Sequence, residues 1–186
     1  MRTLELKDLA GYLPYGLKLF VEKDHSDREV NDTFILNGLT EKTLGYRSDN
    51  EGIHVVGITL YRNAKPILKP LSLLTEPCLD GKIPIVELAN VVCNSIWGFD
   101  SINPRSICEV LNYGNNFGLI HVDDSEERIG FSFETECNKI EFFFSVNGDR
   151  MKINQLQLFQ KLFEWHFDVY GLIEQGLAVS EETIKN

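Results

Sequence analysis

No apolar run in the 186 residues approaches the roughly 20 that a transmembrane helix requires. The opening MRTLELKDLAGYL is charged and amphipathic rather than signal-like. A cytoplasmic location and no membrane partner are therefore expected. Cysteine is sparse: Cys78, Cys93, Cys108 and Cys137 stand singly, with no CxxC pair and no nearby histidine. That pattern favours free thiols over disulfides or a zinc site. A phosphate-cradling glycine loop, a Gly-x-Ser-x-Gly elbow and a His-Glu-x-x-His pair are all missing. With them go the usual signposts of nucleotide, serine and zinc hydrolysis, so no catalytic residue and no cofactor is assigned. Basic residues are in deficit, 18 against 28 acidic, for a formal net charge of −10. This balance disfavours nucleic acid, which is held by neutralising its phosphates.

What the chain does have is apolar and aromatic content, 43% and 11%, enough for a sizeable core. A length of 186 residues with no evident linker predicts one domain over 1–186. The expected class is α+β: a mostly antiparallel sheet, one long C-terminal helix, and two or three shorter helices.

The cleanest pattern lies in the last third. Ile129, Phe131 and Phe133 alternate with small or polar residues, as do Ile140, Phe142, Phe144 and Val146, and Asn147-Gly148 is a strong turn signal. This predicts an antiparallel hairpin with one aromatic face. Directly after it, Asn154 to Ile173 (NQLQLFQKLFEWHFDVYGLI) reads as a single helix. At 100° per residue, Gln157, Gln160, Lys161, Glu164 and Asp168 share one polar stripe with Gly171, and apolar side chains fill the remainder. The predicted architecture lays this helix on the aromatic face of the hairpin.

Earlier segments are read more briefly. Lys7 to Leu13 predicts a short helix, Gly16 to Glu22 a strand with Leu17, Leu19 and Val21 on one side, and Thr33 to Leu39 and Lys42 to Arg47 further strands. Ile53 to Tyr61 is apolar on both parities and predicts a central strand. Ala64 to Leu74 carries Lys65-Pro66 and Lys69-Pro70, which predicts an extended, peripheral connector that turns helical after Pro70. Pro84 to Trp97 predicts a helix, Pro104 to Tyr113 another, and Phe117 to Val122 a strand.

Three constellations invite a chemical reading. Glu164-Trp165-His166-Phe167-Asp168 packs two carboxylates and an imidazole into five residues, but on a helix His166 points about 160° from either acid. A histidine packed in the core and hydrogen-bonded to a carbonyl or a side chain is the expectation for His166. His121 and Asp123, on one side of a strand and followed by Asp124, Glu126 and Glu127, are the candidate divalent-metal ligands. The Lys-Pro pairs read as a rigid connector ahead of a polyproline-like ligand.

LFEWHFDVYGLIEQGLAVS (Leu162 to Ser180), AKPILKPLSLLTE (Ala64 to Glu76) and LPYGLKLF (Leu13 to Phe20) together resemble a group of small proteins encoded by phages and prophages of gut anaerobes. The resemblance spans most of the chain. It implies a bacterial cytoplasm and an accessory role, and it carries no activity or functional residue. The leading functional expectation is a non-enzymatic phage or prophage accessory protein that binds a host or phage protein. The alternative is a small-molecule or metal-binding protein, or a hydrolase, with a pocket between helix and sheet that uses His121, Asp123 and His166.

Overall fold

A computed structural model describes residues 4–23, 29–39, 43–48, 51–57, 64–96, 107–113, 116–122, 128–136 and 139–184. The class is α+β, with two sheets and four helices among these residues. The chain divides into two compact units: 1–70 with 162–186, and 71–161.

The first unit begins with a one-turn helix, α1 (Leu6–Leu9), whose start is fixed by the Glu5 N–H donating to the Asp8 carboxylate at 2.9 Å. Pro14 then sits in a 3-10 turn (Leu13–Tyr15) that closes at left-handed Gly16. The strands follow as β1 (Lys18–Lys23), β2 (Glu29–Leu39), β3 (Thr43–Ser48), β4 (Glu51–Gly57) and β5 (Ala64–Leu68). Near the C-terminus come the two-residue β11 (Val179–Ser180) and the one-turn α4 (Glu181–Ile184). The sheet order is β11-β5-β1-β2-β3-β4, antiparallel except for the β11–β5 pair. Leu17, Leu19 and Val21 are buried on one side of β1, as their alternation predicts. Leu17 and Leu19 join Leu9, Tyr12, Leu36, Leu68, Leu172 and Ala178 in one core cluster.

Two expectations for this unit are corrected. Ile53 to Tyr61 is expected to be central; residues 58–61 lie outside the described residues, and among the described ones β4 ends the sheet order. Continuous apolar character therefore does not fix a strand's rank within a sheet. Conversely, the Lys-Pro segment is extended as expected but lies one strand in from the edge, because β11 adds two residues of pairing at Ile67 and Leu68, just beyond Pro66. A proline interrupts a ladder only at its own N–H.

The second unit opens with a 3-10 turn (Leu71–Thr75) directly after Pro70, then α2 (Pro84–Ile96), which Pro84 starts at the position where its missing N–H costs least. Five antiparallel strands follow: β6 (Ile107–Tyr113), β7 (Asn116–Val122), β8 (Arg128–Glu136), β9 (Lys139–Val146) and β10 (Asp149–Met151). The helix expected over Pro104 to Tyr113 is therefore a strand at Ile107–Tyr113, drawn into the sheet by its ladder with β7. Residues 104–106 of that expectation lie outside the described residues; from Ile107 on, long-range pairing decides the outcome.

The aromatic hairpin forms in the predicted register, with Phe131 opposite Phe144 and Phe133 opposite Phe142, all four fully buried. Asn147 and Gly148 both take positive φ, which suits a two-residue hairpin turn.

Next comes α3 (Gln155–Glu164), where the sequence predicted a helix over Asn154 to Ile173. The Asn154 side chain accepts the Gln157 N–H at 3.4 Å, a long capping bond at the predicted position. Gln155 accepts from the Phe142 N–H at 2.9 Å and donates to the Phe142 carbonyl at 2.7 Å, so its amide pairs with β9 as another strand would. Phe159 stands edge-on to Phe142 with ring centres 5.3 Å apart. The helix thus meets the hairpin's aromatic face, but it stops nine residues short of the predicted end. Asp168, assigned to an exposed polar stripe, is instead buried. Among the described residues, no helix is long and apolar enough to cross a membrane.

Candidate functional site

The early end of α3 has a defined cause. His166 adopts φ +60°, the left-handed conformation that usually falls to glycine at a helix C-terminus. Its N–H donates to the Phe163 carbonyl at 3.0 Å, and the Phe167 N–H donates to the Leu162 carbonyl at 2.9 Å. These are the two bonds of a Schellman closure, and Leu162 and Phe167, the pair that such closures bring together, are both fully buried.

Beyond the closure, the chain bonds elsewhere. The Lys69 N–H donates to the His166 carbonyl at 2.8 Å and the Asp168 N–H to the Lys69 carbonyl at 2.9 Å, a single parallel bridge beyond the end of β5. The Tyr12 phenol donates to the Phe167 carbonyl at 2.7 Å and accepts the Val169 N–H at 3.3 Å. Burial holds that phenol far above the ordinary tyrosine range. Asp168 takes the N–H groups of Leu172 and Ile173, one on each carboxylate oxygen, both at 2.8 Å. Burial nevertheless pushes its carboxyl up, against the pull of those backbone donors.

This turn places His166 on the wall of a cleft of about 340 Å³, shared with Lys18, Thr33, Ile67, Lys69, Glu181 and Ile184. Strand register explains the grouping. Lys18 pairs with Ile35 and Phe20 with Thr33, so Lys18 and Thr33 share the sheet face opposite Leu17 and Leu19. Phe20 also pairs with Lys65, which puts Ile67 on that same face one step along β5. Lys69 follows β5, and Glu181 follows β11.

The polar groups of the cleft are held by the fold. Lys69 Nζ donates to the Trp165 carbonyl at 3.0 Å and lies 3.2 Å from Glu181 Oε2. His166 Nε2 is 3.0 Å from the Tyr15 carbonyl. A carbonyl only accepts, so Nε2 carries the hydrogen and, in the neutral ring, Nδ1 carries the lone pair. The ring is held below the usual histidine range chiefly by burial, with Lys69 and Lys18 adding to the effect; the Tyr15 bond and Glu181 oppose it. The site therefore brings together two lysines, a threonine, one glutamate and a neutral imidazole with a fixed tautomer.

The expectation for His166, a packed ring bonded to a backbone carbonyl, matches the Tyr15 contact, although the ring is half-buried and borders the cleft. The sequence carries no signal for its companions: Lys18 and Thr33 fall inside strand patterns, Lys69 inside the Lys-Pro connector, and Glu181 beyond the last predicted element. The alternation of Leu17, Leu19 and Val21 did put Lys18 on the opposite face, but its neighbours there depend on strand order. His121 lies on β7 of the second unit, its backbone opposite Ile107 and Ile129. Asp123 lies outside the described residues. Among the described residues no three histidine, cysteine or acidic side chains are grouped to hold a metal ion. No family model, curated protein or solved structure matches the chain.

Proposed function

We propose that this protein is a non-enzymatic accessory protein of a phage or prophage, acting by binding in a bacterial cytoplasm, with the Lys18–His166 cleft as its binding site. The observation that carries the reading is the cleft itself. It gathers charged and polar groups from β1, β2, the end of β5, the turn after α3 and the start of α4. One of those groups, His166, stands on a backbone conformation that disfavours side chains. Lys69 and Glu181 are fixed by each other, which suits a preorganised receptor. The ligand is a small molecule or a group displayed on a host or phage protein.

The test is thermal denaturation of the purified protein against a panel of small anions, nucleotides and divalent ions, beside affinity capture of partners at several salt concentrations. Ligands that raise the Tm of the wild type but not of Lys18→Glu support the reading. A protein that responds to nothing and retains no partner overturns it.

A second reading, hydrolysis, draws on the fixed tautomer of His166, whose free lone pair has the form of a general base. A metal ion at His121 and Asp123 belongs with this alternative. Turnover of ester or phosphoester substrates that is lost in His166→Gly, or a stoichiometric ion found by metal analysis, would favour it over simple binding.

A further inference from the structure

We infer that the cleft recognises the phosphoryl group of a phosphate monoester in its singly protonated form, with His166 reading the P–OH hydrogen. The inference rests on the binding role assigned above to this cleft and specifies what is bound there.

Charge selects an anion first. Lys18 and Lys69 against Glu181 leave the cleft one positive charge in a chain whose formal net charge is −10. Among the described residues, Lys18 has no hydrogen-bonding or ion-pair partner for its ammonium group. An ammonium has three hydrogens. Lys69 spends one on the Trp165 carbonyl and one on Glu181, so its third has no acceptor among the described residues. Its side chain is only 16% exposed, which favours an acceptor brought by a ligand over bulk water. Thr33 lines the same wall.

The imidazole then selects among anions. With Nε2–H committed to the Tyr15 carbonyl, the ring's remaining polar atom is Nδ1, which near neutral pH is an acceptor. An oxyanion beside it meets lone pair against lone pair unless it brings a hydrogen of its own. Sulfate and simple carboxylates have none near neutral pH. A phosphate monoester does, because its second pKa lies near 6 and about a tenth of it is still the monoanion at pH 7. The monoanion accepts from Lys18 and Lys69 and donates to Nδ1, satisfying each group in the sense it requires.

Size and lining agree with an ester larger than the bare ion. The volume is near the lower end of the roughly 300–1,000 Å³ of small-molecule sites, and Ile67 and Ile184 supply apolar wall for the remainder of the ligand.

The experiment is isothermal titration of the full chain with inorganic phosphate, phenyl phosphate, O-phosphoserine and sulfate, near neutral pH. At least one of the two organic monoesters should bind, and phosphate should be preferred to sulfate by about tenfold, the scale of one charge-assisted hydrogen bond. Lys18→Met should weaken every anion. Glu181→Gln, which removes the resident carboxylate from Lys69, should tighten every anion, a gain that a purely structural role for Glu181 would not produce.

His166→Gly suits the left-handed backbone, and its circular dichroism spectrum should match that of the wild type. It should bring phosphate and sulfate to within about twofold of each other. Lowering the pH through the ring's depressed pKa turns Nδ1 into a donor and should likewise admit sulfate. Phenyl phosphate binding without O-phosphoserine points to a free small ester; the reverse order points to a phosphorylated side chain; either supports the inference. Sulfate bound as tightly as phosphate, or a preference unchanged in His166→Gly, overturns it. If no anion binds while Lys18→Glu still abolishes a response to another ligand or partner, the phosphoryl assignment falls and the binding role stands.

Discussion

Gln155–Glu164 and the nine residues that follow it are both rich in apolar side chains and have opposite backbone fates. In the first stretch the chain keeps helical bonding, begins on the Asn154 side chain and is held to β9 by the Gln155 amide. In the second, hardly any backbone group bonds in the helical i→i−4 manner. His166 and Asp168 pair with Lys69, Phe167 and Val169 bond the Tyr12 phenol, and the N–H groups of Leu172 and Ile173 go to Asp168. A second closure at Gly176 (φ +71°) repeats the first, with the Leu177 N–H reaching the Leu172 carbonyl at 2.8 Å. A buried chain must satisfy its polar groups somewhere, and it leaves the helix where tertiary partners do so while burying Phe167 and Leu172. Apolar spacing states that residues will be buried; backbone accounting decides on what path.

The sharpest way to break the comparison is to remove an anchor of the second stretch. Phe167→Ala should cost about 3–5 kcal/mol, measured by urea denaturation, because the ring is fully buried. Tyr170→Ala, a ring 41% exposed, should cost less than half as much. Equal losses would mean that the turn is not anchored through Phe167.

Next in size is Asp168→Asn, expected to cost about 1–3 kcal/mol. An amide has one acceptor oxygen where the carboxylate offers two, so the Leu172 or Ile173 N–H loses its partner. Glu164→Ala, on the exposed face of α3, should change stability by no more than about 0.5 kcal/mol. Read as a helix, the two acids four residues apart look equivalent; a large loss at Glu164 or none at Asp168 would restore that picture.

What was legible in the sequence is what local rules control. The Phe131–Phe144 register follows from period-two alternation and the Asn147-Gly148 turn, and α2 begins at Pro84 because proline suits that position. Long-range pairing was not legible. It made Ile107–Tyr113 a strand, and it set the β11-β5-β1-β2 order that brings Glu181, Lys69, Lys18 and Thr33 around His166. The left-handed turn at His166 was the least legible, since glycine is the usual signal there and Gly171, five residues later, drew the expected helix end past it.

A small net effect at His166 is also the most diagnostic, because it separates two roles of one residue. His166→Gly removes a side chain from a left-handed backbone, a relief of about 1 kcal/mol, and loses the bond to the Tyr15 carbonyl, a cost of about the same size. Net stability near neutral pH should therefore change by less than about 1 kcal/mol. Its pH dependence should change more clearly. With the folded pKa depressed, the unfolded ring binds more protons at mildly acidic pH, so stability falls as pH drops below the unfolded value of 6.5 and levels off below the folded one. Lys18 and Lys69 reinforce that sign and Glu181 opposes it, without reversing it. Chemical denaturation from pH 7 downward should show this loss in the wild type and its absence in His166→Gly. Identical slopes in the two proteins would mean that the ring is not held neutral by its site, and His166 would then be a helix terminus and nothing more.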